Sequence, residues 1–99
     1  MKFKIPQKYQ VGGQEMNVKL VDKIENTNNL GDCCLAKGNV RIAKTFQGDC
    51  QSESSILNTF FHELTHSILD TMSETELRQN EKFVCTFSGF LTEAIKSME

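Results

Sequence analysis

Residues 62–66 read His62-Glu63-Leu64-Thr65-His66, an H-E-x-x-H spacing, inside a run from Ile56 to Leu69 that contains no Gly or Pro. These are the only two His in the chain. Residues four apart share one face of an α-helix, so both imidazoles would stand on one side, about 6 Å apart along the axis. Two neutral imidazoles suit Zn²⁺, and a Glu beside the first is within reach of a water held by such an ion. The plainer alternative is a helix on which one His is solvated and the other packed. Ser52 fits an N-cap, and Ile56, Leu57, Phe60, Phe61, Leu64, Ile68 and Leu69 form a wide apolar face. The spacing therefore predicts a helix over 52–72.

Before this helix the pattern is that of strands. Phe3 to Ile5 alternates and is stopped by Pro6. Val11-Gly12-Gly13-Gln14 is turn chemistry. Met16 to Ile24 alternates loosely, and residues 25–32 form a polar loop. Lys37-Gly38-Asn39 separates Cys33–Ala36 from Val40–Thr45 as a hairpin would. After the helix, Ser73-Glu74-Thr75-Glu76 reads as a capping box that opens a second helix over 74–98. Leu77, Val84, Phe87, Leu91 and Met98 recur along it at helical spacing. The fold expected is α+β: one domain over 1–99, with a small antiparallel or mixed sheet in 1–48 followed by a helical hairpin.

A chain of 99 residues, 38% apolar and 24% charged, holds one modest core. Its formal net charge of −2 gives no bulk attraction for nucleic acid. Residues 1–48 carry eight Lys/Arg against four acids, and residues 49–99 carry three against nine; the asymmetry reads as solvated faces. The first six residues have charge but no apolar stretch behind it, so no signal peptide is expected. No apolar run approaches the ~18 residues of a membrane span. Cys33, Cys34, Cys50 and Cys85 fit no zinc-finger spacing. They read as reduced thiols of a cytoplasmic protein, packed as small apolar residues. Nothing in the sequence fixes an oligomeric state.

Two imidazoles do not complete a zinc site, which takes three protein ligands when catalytic. Asp70 shares the face of His66 but lies about 12 Å along the axis from His62; it reads as a surface carboxylate or as a group holding His66 from behind. Glu81 is the stronger candidate. It falls between Leu77 and Val84, where a carboxylate is costly unless paired or bound to metal. In an antiparallel hairpin it would stand level with His66. A surface Glu pairing with Arg78 or Lys82 is the alternative.

Asn80-Glu81-Lys82-Phe83-Val84 after an H-E-x-x-H helix resembles the Asn-Glu signature of gluzincin metallopeptidases. Together with Phe60 to Leu69 it is similar to the small ImmA/IrrE-type metallo-endopeptidases of bacteria, phages and mobile elements. The resemblance spans residues 38–95. It implies zinc bound by His62, His66 and Glu81, with Glu63 as catalytic base and Asn80 as a neighbour of the ligand set. The metzincin extension is absent, since Leu69 and Met72 stand where Gly and His would be. The resemblance further implies a protein or peptide substrate, such as a regulator or repressor, laid along an edge strand made by Asn39, Val40, Arg41, Ile42 and Ala43. An exposed edge offers backbone groups to which an extended peptide can add. The larger gluzincins supply a His or Tyr to the oxyanion. This chain has no spare His, which leaves Tyr9 or Arg41, and leaves open a zinc-stabilised binding module that does not cut.

Overall fold

The computed structural model describes residues 3–24 and 29–98; part of the 25–32 loop, residues 25–28, lies outside them. Nine elements follow in order among the described residues: β1 (Lys8–Val11), β2 (Gln14–Val21), β3 (Gly31–Cys34), β4 (Asn39–Ala43), β5 (Thr45–Phe46), β6 (Asp49–Cys50), α1 (Glu53–Thr71), α2 (Thr75–Gln79) and α3 (Glu81–Ser97). The class is α+β, with a mixed N-terminal sheet followed by helices.

The sheet is ordered β1-β2-β4-β3. β1 and β2 form a hairpin across Gly12 and Gly13, whose φ values of 57° and 81° are cheap only for glycine. A side chain at Gly12 would also strike Thr71 Cγ2 of α1. β3 and β4 form a second hairpin, closed by Gly38 at φ 66°. β4 then pairs parallel with β2.

Asn39–Ala43 is therefore not an edge. β4 is bonded on both sides, antiparallel to β3 and parallel to β2. Its composition explains the placement: Val40, Ile42 and Ala43 are all at most 1% exposed, and a strand this apolar belongs in the middle of a sheet. β3 occupies the rim instead. The N-terminal strand also shifts. Phe3–Ile5 is irregular chain, and β1 begins at Lys8. Phe3 is used as a core plug, its ring 5.3 Å from that of Phe61 and 6.3 Å from that of Phe60.

α1 lies across one face of the sheet. Leu57, Phe60 and Phe61 meet Met16, Val40 and Ile42, and each such buried side chain contributes roughly 1.5–3 kcal/mol. Ser52 caps the helix by accepting the N–H of Ser55 at 3.1 Å. Its other end closes through Ser73, which takes φ 60° while the Glu74 N–H reaches back to the Leu69 carbonyl at 2.9 Å. This is a left-handed helix stop. Ser73 is thereby committed to ending α1, so the expected capping box does not form and α2 starts without a side-chain cap. The single helix expected over 74–98 is also interrupted. Asn80 leaves the helical region, ends α2 and caps α3 by accepting the Phe83 N–H at 3.1 Å. α3 packs on α1 through Val84, Ser88 and Thr92 and leaves Phe87 and Phe90 outward.

Candidate metal centre

α1 presents His62 and His66 one turn apart on the same side, with ring centroids 4.9 Å apart. The bend through α2 and the cap at Asn80 bring the first turn of α3 opposite them. Glu81 therefore enters at the N-terminus of α3 and not from mid-helix. Its Oε2 lies 3.4 Å from His62 Nε2, and its Oε1 lies 3.2 Å from His66 Nε2. The imidazoles are mostly buried, whereas the Glu81 side chain is 64% exposed. One side of the cluster thus faces open space.

These separations can be compared with what an ion requires. Ligands about 2.0–2.1 Å from a tetrahedral centre lie roughly 3.3 Å from one another. The Nε2–carboxylate distances match that edge length, and two imidazoles with one carboxylate form an ordinary donor set for zinc. By donor type the residues suit zinc, and among the described residues the donor atoms that all fall within 4.8 Å of one another are those of His62, Glu81 and Cys85. The same contacts suit an ion pair between a protonated His and Glu81. Burial, joined by the neighbouring His62, lowers the pKa of His66 and so favours its neutral, ligand-competent form.

Glu63 packs against the sheet rim at Gly31. It is 7% exposed. Burial pushes its carboxyl up to about 7, and the nearby negative charges of Asp32 and Glu81 add to the shift. Gly31 of β3 accounts for the close fit: a Cβ there would stand 2.7 Å from Thr59 Cγ2 and 3.2 Å from Glu63 Cγ. The rim strand therefore lies against α1 at the candidate base.

The remaining sequence candidates are placed differently. Asp70 pairs with Arg78 of α2, Oδ2 to Nε 3.6 Å, and does not hold His66, whose Nδ1 is buried without a hydrogen-bond partner. Its carboxylate is drawn across the bend by the guanidinium. Asn80 acts as the α3 cap. The Tyr9 hydroxyl is engaged by Ser67 at 2.9 Å. Arg41 forms a two-point pair with Asp32 on the outer face of the sheet. The four Cys are free thiols, but only Cys33 is turned inward; Cys34, Cys50 and Cys85 are exposed, so the reading of all four as packed apolar residues fails for three.

Sequence reading passed over Cys85. Its sulfur lies 3.8 Å from His62 Nδ1 and 4.0 Å from Glu81 Oε2. Donor atoms of His62, Glu81 and Cys85 all fall within 4.8 Å of one another. The signal was available, because Cys85 follows Glu81 by four residues and so shares its helix face. Among the described residues, no helix is long and apolar enough to cross a membrane. Compared with known proteins, the chain matches no family model, no curated protein and no solved structure.

Proposed function

We propose that the chain is a zinc-dependent endopeptidase of gluzincin type, similar to the small ImmA/IrrE metallo-endopeptidases and acting on a specific cytoplasmic protein such as a regulator or repressor. The observation that carries this reading is the meeting of both imidazole Nε2 atoms with separate oxygens of Glu81, at 3.4 and 3.2 Å. His62, His66 and Glu81 would hold the ion. Bound zinc supplies Lewis acidity toward water and toward a carbonyl oxygen. Glu63 then accepts a proton from the attacking water and delivers it to the amine nitrogen as the peptide C–N bond breaks and the new C–O bond forms. The substrate strand adds to the rim of β3, whose inner face lies against Glu63; β4 supports that rim from within the sheet.

One observation favours a second reading, a zinc-stabilised module that binds a partner without cutting it. Tyr9 and Arg41, the two candidates for holding the oxyanion, are engaged by Ser67 and Asp32. Zinc stoichiometry of the purified protein, followed by incubation with a peptide library with and without chelator, separates the readings. Stoichiometric zinc with chelator-sensitive cleavage supports the peptidase. Stoichiometric zinc without cleavage selects the binding module, and failure to take up zinc removes both.

A further inference from the structure

We infer that Cys85 is a positioning residue of the same centre: its sulfur accepts the Nδ1–H of His62 and so aims the opposite nitrogen at the point shared with His66 and Glu81. The inference rests on the metal reading above. A neutral imidazole that binds an ion through Nε2 carries its proton on Nδ1, and that proton needs an acceptor to fix the tautomer and the ring plane. For His62 the acceptor at hand is Cys85 Sγ, at 3.8 Å. The same thiol can donate its own proton to Glu81 Oε2 at 4.0 Å. One side chain thus touches two of the three proposed ligands, one on α1 and one on its own helix.

Nearness alone would also allow ligation, since donor atoms of His62, Glu81 and Cys85 lie within 4.8 Å of one another; the orientation of the His62 ring favours the positioning role. Nε2 of His62 faces Glu81, whereas the sulfur sits at the Nδ1 side of the ring. His66 supplies an internal contrast, because its Nδ1 is buried with no hydrogen-bond partner. The two imidazoles are therefore unequal: both meet Glu81 through Nε2, but only His62 has at its Nδ1 a partner that mutation can remove. Cys85 is exposed, so replacing it leaves the core intact.

The test uses the full chain as wild type, Cys85→Ala and Cys85→Asp, with thermal melts to verify folding. Zinc affinity is read by competition with a chromophoric chelator. Cys85→Ala should weaken zinc by about 10–100-fold, the usual effect of removing such an outer partner. Cys85→Asp, whose carboxylate reaches further, should restore it. In the zinc-loaded protein the ¹⁵N resonance of His62 Nδ1 should move in Cys85→Ala while that of His66 stays. Equal zinc affinity and an unmoved His62 resonance in Cys85→Ala would overturn the inference. So would a sulfur-to-cobalt charge-transfer band in the Co²⁺-substituted wild type that disappears in Cys85→Ala, since Cys85 would then be a ligand. A wild type that takes up neither Zn²⁺ nor Co²⁺ defeats the metal reading itself, a different result from metal binding that ignores Cys85.

Discussion

At the smallest scale, Glu63 of α1 and Gly31 of β3 lie against one another. Glu63 is the one carboxylate among the described residues that is buried, and its place outside the cluster of His62, His66 and Glu81 makes it separable from the proposed metal holding. Glu63→Gln should keep stoichiometric zinc and lose peptide cleavage entirely; cleavage at the wild-type rate would remove Glu63 from the mechanism. Gly31 makes the opposite kind of prediction. Its backbone needs no left-handed conformation, so only crowding against Thr59 and Glu63 opposes a side chain. Gly31→Ala should cost about 1–3 kcal/mol by overpacking, read from urea unfolding. It should also slow cleavage by pushing the rim strand off α1; a variant of unchanged stability would show that the contact relaxes freely.

At the scale of elements, the decisive feature is the short α2 and the break at Asn80. Asn80→Ala should destabilise the fold by about 1 kcal/mol through loss of the cap. It should weaken zinc binding as well, because the same turn delivers Glu81; Asn80→Asp, which can still cap, should do neither. Unaltered zinc affinity in Asn80→Ala would show that Glu81 is placed by packing and not by the cap. The break also shows what was legible in the sequence. Helix α1 was readable to within a residue at each end, because Ser52 and an uninterrupted apolar face act locally. The grouping of Glu81 with the two His was readable from spacing, although the path to it was not. Ser73 could serve as a cap for the next helix or as a stop for the last, and the choice depends on where Leu69 and Asp70 offer carbonyls. The place of β4 inside the sheet was hidden for a similar reason. Strand order is a property of pairing partners far apart in sequence, here β2 and β4, and local alternation carries no record of it.

At the scale of the whole molecule, stability should respond to both metal and alkali. A ligand that binds only the folded state raises stability by RT ln(1 + [L]/Kd), about 2.7 kcal/mol at a hundredfold excess over Kd. Chelator should therefore lower Tm in the wild type and leave a His62→Ala, His66→Ala double variant unaffected; equal shifts in both would speak against the centre. In alkali the half-buried thiol of Cys33 matters. Burial, with Glu63 adding, raises it from 9.0 to about 12. Between those values the unfolded chain releases a proton that the native state keeps, so stability falls as pH rises through this window. Tyr9, raised from 10.0 to about 12 chiefly by burial, acts in the same direction. Urea midpoints measured on either side of pH 9 should show the fall, and Cys33→Ala should make it shallower.

The helix that delivers Glu81 is rooted less deeply in the protein than α1. Of its fully buried residues only Val84 is apolar, the others being Ser88 and Thr92. An ion shared by His66 and Glu81 would tie α3 to α1 as a removable cross-link, closing a short loop much as a disulfide would. Stripping the ion should then leave the sheet and α1 standing while α3 opens and closes on its own. Amide exchange would quicken along residues 81–97 well before it does in β2 or β4.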